Sequence, residues 1–295
     1  MHSLNRQSPH SALRPSRFLS LLLLFLFALM APLAGWAQNR AQALLQFEGV
    51  QARYQAAYAP GAVARDAQQQ LEPPDLAMAG SALKALDAAA SKSFNTAAAM
   101  AAVQSAVAAA GHGGAAPNAP TLRAVAHLVK IRAEYAAMND ATRAEFFKQQ
   151  QAVPPDAVRT ELLDRMAVAD TREVDFSSQL LMTAVVKQLA RGNAGQFTSL
   201  PERTLDGALE SLWSRGVTST RQRNMLIVAR ELERQITQAQ LVSLSNEEAA
   251  ALLAWRNDPQ ATAERDALVD AYKAEVKAGG ARAIRTVLRA WPRQH

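Results

Sequence analysis

The chain of 295 residues contains no cysteine. That absence excludes disulfide staples, a zinc-thiolate centre, a thiol nucleophile and the lipidated cysteine of a bacterial lipoprotein, so stability has to come from packing. Histidine is scarce as well, five residues in all, and only His112, His127 and His295 lie beyond position 37. No two of them stand four apart on a helix as a zinc-protease motif needs, and no G-x-S-x-G turn offers a serine nucleophile. The segment Gly111-His112-Gly113-Gly114 lacks the lysine and the strand-to-helix setting of a phosphate-cradling loop, and reads as a flexible connector. No alternation of β-branched residues is long enough to predict a strand. No cofactor is expected.

One long apolar run is present. Phe18 to Met30 is unbroken, with Arg6, Arg14 and Arg17 before it and Pro32 and Ala34-Gly35-Trp36-Ala37 after it. A basic start, a short apolar core and a small-x-small exit are the parts of a secretory signal peptide, and they predict cleavage after Ala37. The run is shorter than the roughly 20 residues of a membrane span, and no second apolar run of that length follows. Without paired arginines, the general secretory route is expected. Residues 38–295 should therefore be periplasmic or secreted, with no stable transmembrane span. Losing the three arginines of the signal lowers the formal charge from +6 to +3, too small an excess to predict a nucleic-acid partner. Abundant alanine, and arginine in preference to lysine, have the look of a GC-rich bacterial coding bias.

The mature chain predicts an all-α fold, a multi-helix bundle of about ten helices. Leu44, Phe47, Val50 and Tyr54 recur at helical spacing in a first helix that Pro60-Gly61 should end. Residues 59–118 are rich in alanine and poor in large apolar groups. They form either two thin helices, with Leu76, Leu83, Leu86, Phe94, Met100, Val103 and Val107 as contacts, or a partly ordered linker; the helices are the preferred reading. The chain thus divides into a signal peptide (1–37), a first helix with an Ala-rich, partly flexible helical segment (38–118) and a main helical domain (119–295). In that domain Thr142 and Glu145, then Ser245 and Glu248, stand in capping-box spacing. The helix carrying Met225, Leu232 and Ile236 is expected to expose Arg230, Glu233 and Arg234. Gly192 and Gly216 should stop helices, and Gly279-Gly280 should separate the helix of Leu268, Val269, Tyr272 and Val276 from a last one.

Leu244 to Pro259, LSNEEAAALLAWRNDP, has a Ser-capped start, the acidic pair Glu247 and Glu248, the pair Leu252-Leu253, the aromatic Trp255 and a polar turn ending at Pro259. This stretch resembles the DUF2059 family of exported bacterial proteins, with Arg256 and Gln260 where that family usually has tyrosine and glycine. The likeness extends from about residue 218 onward. It implies an all-helical exported domain and carries over no activity and no site.

The remaining chemistry is sparse. His127 lies within a helix and reads as packed or solvated. Glu210-Ser211 superficially resembles the Glu-Ser pair of lytic transglycosylases, but the Gly-Leu-Met-Gln stretch of those enzymes is missing, and Glu210 reads as a solvated helix face. The most suggestive pattern is the terminal helix. Arg282, Arg285, Arg289 and Arg293 share one face, opposite Ile284, Val287, Leu288 and Trp291, so the arginines are candidate contacts to an anionic envelope surface with Trp291 at its interface. The alternative is a docked helix whose arginines are solvated or paired.

These features lead to an exported helical protein, not an enzyme, that acts through binding at the cell envelope, its partner an envelope protein or anionic lipid. A helical carrier of a lipid or small hydrophobic ligand is a second reading, and would gather Leu181, Val185, Leu226 and Trp255 around a closed cavity. A peptidoglycan hydrolase is a third, and would need two acidic residues about 5 to 10 Å apart in a cleft.

Overall fold

The structure, a computed structural model, describes residues 40–57, 73–111, 114–153, 156–191, 200–215 and 220–291. Among them are twelve helices and no strand. They are α1 (Arg40–Glu48), α2 (Val50–Ala56), α3 (Pro73–Ser93), α4 (Thr96–Ala110), α5 (Ala119–Ala137), α6 (Asp140–Gln151), α7 (Ala157–Asp164), α8 (Val168–Ala190), α9 (Glu202–Arg215), α10 (Thr220–Val242), α11 (Asn246–Arg256) and α12 (Ala261–Ala290). The all-α bundle is as expected. The proposed signal peptide, His112, His295, Arg293 and the breakers Pro60-Gly61, Gly192 and Gly216 lie outside the described residues.

Short polar residues start many of the helices. Asn95, Asn118, Asn139, Asp156 and Ser245 each accept a hydrogen bond from a first-turn amide of α4, α5, α6, α7 and α11 respectively, contacts worth about 1 kcal/mol apiece. Ser245 and Glu248 form the expected capping box, with both reciprocal bonds made. Thr142 and Glu145 do not. The cap there is Asn139, whose side chain already takes the Thr142 amide, so Thr142 sits inside the first turn.

Two apolar clusters form the core. The first gathers Leu44, Phe47, Tyr54, Val103, Val107, Leu128, Leu162, Leu252 and Tyr272 from α1, α2, α4, α5, α7, α11 and α12. The second gathers Leu86, Met182, Val186, Leu189, Leu205, Ile284, Leu288 and Trp291 from α3, α8, α9 and the end of α12. Side chains from both sides of residue 118 therefore share the first core. Helices α8 and α12 run through both clusters, Val174 and Tyr272 in one, Val186 and Ile284 in the other, and Phe94 and Trp213 pack against each.

Glycine accounts for two departures from the local reading. The first helix is broken at Gly49, which adopts φ +67°, a left-handed conformation that a side chain would strain. Arg132 fills the gap: its Nη1 donates to the carbonyls of Gln46 and Phe47 at 3.0 and 2.5 Å. At the other end Gly279-Gly280 does not stop a helix at all, since α12 is continuous for 30 residues. Both glycines are buried, and a Cβ on Gly279 would lie 1.8 Å from Cε1 of Phe94. The pair is a notch into which the α3–α4 turn presses its aromatic ring.

Candidate functional site

The basic face of the terminal helix is engaged within the molecule. Arg282 donates from Nη2 and Nε to the carbonyl of Ser93 at 3.0 and 3.3 Å, closing the end of α3. Arg285 pairs with Asp206 at 2.9 Å and Arg289 with Glu202 at 2.7 Å, both on α9. Trp291 is buried in the second core and does not stand at a water interface as the lipid reading required. The helix is docked, with its arginines clamping α9 and α3, because α9 sets its two carboxylates one turn apart. These pairs are 79 and 87 residues apart in sequence, and nothing local reveals them.

The other motifs resolve into structural contacts. His127 Nδ1 lies 2.9 Å from Oε1 of Glu248. Burial opposes ionisation of Glu248, but hydrogen bonds from the Ser245 amide and the His127 ring outweigh it and hold the carboxyl below its ordinary range. Glu210 is exposed on α9 and pairs with Lys277. Leu181 and Val185 belong to the second core and Trp255 to the first, where it meets Phe47 edge-on at 5.8 Å, so the residues named for a carrier cavity are not brought together. A surface cavity of about 210 Å³ is lined by Tyr54, Gln55, Asp87, Ala90, Ser91, Phe94 and Thr96, none of them among those four. Among the described residues no group of three or more His, Asp or Glu is placed to hold a metal ion, and no helix is long and apolar enough to cross a membrane.

A buried ionic network that sequence reasoning did not find lies beneath the surface. Glu264, fully buried at the start of α12, accepts from Nη1 of Arg256 at 2.9 Å and from Nη2 of Arg40 at 3.1 Å, and Arg40 reaches on to Asp258 at 3.3 Å. The Trp255 ring takes both guanidinium groups within 6 Å, Arg256 at 5.4 Å and Arg40 at 5.8 Å. Glu48 is buried too. It accepts from the Ala167 amide at 3.0 Å, and burial pushes its carboxyl above the ordinary range against the attraction of Arg256, Arg53 and Arg132. Asp175 accepts from the Tyr272 hydroxyl at 2.6 Å, and burial, only partly offset by that bond and by Arg53 and Arg172, pushes it up to about 7. Arg132 is pushed down to about 10, by burial first and then by Arg53. These groups are hydrogen-bonded inside the fold, where paired charges meet the cost of losing water.

The outward feature is α10, and it is turned opposite to the sequence expectation. Arg230, Glu233 and Arg234 turn toward neighbouring helices and are partly exposed: Arg230 meets Glu173 at 3.3 Å and Asp170 at 3.7 Å, Glu233 meets Arg53 at 3.0 Å, and Arg234 meets Asp164 at 2.5 Å. Met225, Ile227, Val228 and Leu232 consequently point to solvent, with 39, 64, 65 and 52% of their surface exposed. A signal for this was present in the run Met225-Leu226-Ile227-Val228, since four consecutive apolar residues cannot all fit the buried face of one helix. The chain matches no protein-family model, no curated protein and no solved structure.

Proposed function

We propose that the chain is a non-catalytic, exported interaction protein of the cell envelope, and that α10 is its contact surface. The observation that carries this reading is the inverted amphipathicity of α10: its charged side pairs with neighbouring helices and its apolar side is presented to water. Large apolar side chains gathered on one exposed helix face are the mark of an association site, whereas isolated ones are ordinary. The arrangement of the interior agrees, because the strongest polar groups are buried and paired rather than gathered in a cleft. Export rests on the apolar run Phe18 to Met30 and its small-residue exit, and the resemblance of Leu244 to Pro259 to an exported family fits the same location.

The test is retention of envelope extract components on the immobilised protein, compared with a Val228→Glu, Leu232→Glu double variant. Both positions are exposed, so the variant should keep its helical circular dichroism and thermal midpoint while losing the bound material. Equal retention by the two proteins would refute α10 as the contact surface.

A further inference from the structure

Helix α6 is bound to the fold less firmly than its neighbours. Among the described helices it alone has no buried residue. Its sequence, DATRAEFFKQQQ, holds two large apolar side chains, Phe146 and Phe147, and both remain partly exposed. They meet the Tyr135 ring, near the end of α5, at 5.7 and 5.9 Å, and the Arg143 guanidinium lies over the same ring at 5.5 Å. Arg143 also donates to the carbonyls of Tyr135 and Ala136 at 3.4 and 3.1 Å. Among the described residues the other side-chain ties of α6 run within its own turns and to its Asn139 cap, Gln149 donating to Glu145 and Arg143 pairing loosely with Asp140. The helix rests on α10 without any of these ties reaching it.

We propose that α6 is a flap, hinged at Met138-Asn139 and latched by the Tyr135 ring, that leaves α10 while the rest of the fold stays closed. The hinge is extended backbone: Met138 at φ −68°, ψ 144° and Asn139 at φ −78°, ψ 173° break the helical path between α5 and α6. Such an opening needs little free energy, because it uncovers no core side chain and loses few apolar contacts. A helix of 12 residues is marginal in water on its own, so undocking and loss of its hydrogen bonds are one event. Neighbouring α7 differs. It has only eight residues but buries Leu162, Leu163 and Arg159, and its release disturbs the first core. The open state adds the rings of Tyr135, Phe146 and Phe147 to the apolar surface on this side of the molecule. The flap therefore sets how much apolar surface is available there, an inference that goes beyond the contact reading of α10 and does not depend on it.

The test is amide hydrogen exchange, resolved by residue, of the protein recovered from expression of the full sequence, at several urea concentrations below its unfolding transition. Amides of α6 should exchange on the order of a hundredfold faster than those of α7. Their rate should change little with urea, because the opening exposes little surface. Phe147→Leu takes one ring from the latch at a partly exposed position. It should speed exchange in α6 by about a further fivefold while leaving the thermal midpoint and the exchange of α7 unchanged. Arg143→Ala, which cuts the ties to Tyr135 and Ala136, should act in the same direction. Protection of α6 equal to that of α7, or one urea dependence shared by both helices, would overturn the flap. So would variants that lower the thermal midpoint with no faster exchange in α6.

Discussion

Asp175 is a carboxyl group that folding makes harder to ionise. Its ordinary value near 3.8 rises to about 7 in the fold, with burial as the main cause, so the native state binds its proton more tightly than the unfolded chain does. Stability from this group is fully present below pH 4 and declines as pH rises toward 7, after which it is flat. Asp175→Asn keeps a polar partner for the Tyr272 hydroxyl and has no proton to lose. Urea titrations at pH 5 and pH 8 should therefore show a drop for the native protein, on the order of a few kcal/mol at most, and a smaller drop for the variant. Glu48 is raised in the same direction and supplies a residual slope. Equal slopes in the two proteins would mean that Asp175 stays ionised throughout.

At the scale of single helices, legibility followed the distance over which each signal acts. The Ser245 and Glu248 box was readable because donor and acceptor lie three residues apart. Thr142 and Glu145 fit the same template but lost to Asn139, which competes for the same amide. The common face of Arg282, Arg285 and Arg289 was legible from their spacing, while Asp206 and Glu202, which decide what that face does, are remote in sequence. The orientation of α10 failed for the same reason, because Asp164, Asp170, Glu173 and Arg53 draw its charged side inward from other helices. Gly279-Gly280 reads locally as a stop because glycine's weakness as a helix former is real, about 1 kcal/mol against alanine; what keeps it within α12 is the Phe94 ring. Gly279→Ala should accordingly destabilise the fold, by about 1 to 3 kcal/mol for overpacking, despite its better helix propensity. Phe94→Leu in the same chain should recover part of that loss. Thermal denaturation of the two single variants and the double one measures the coupling, and strictly additive effects would disprove the notch.

The two clusters of the core are joined by shared helices rather than by a linker. Because α8 and α12 each contribute to both, neither cluster can unravel without loosening the other, and unfolding should be one cooperative transition. Trp255 reports on the first cluster and Trp291 on the second. Variants that keep one of these tryptophans, with the others replaced by phenylalanine, should lose their native fluorescence at the same urea concentration. Two separate midpoints would indicate two independent units.

The clamp of Arg40 and Arg256 on Glu264 also orders events in time. Arg40 opens α1, and the carboxylate that receives it lies 224 residues later. A ribosome delivers the chain from its amino end, so α1 emerges well before the carboxylate that receives it and before the α12 surface that Tyr54 packs against. Until then Leu44, Phe47 and Tyr54 have no complete seat, and contacts of such long sequence separation form late and slowly. That part of the nascent chain therefore stays without its full packing until α12 has been made, however early its own helices form.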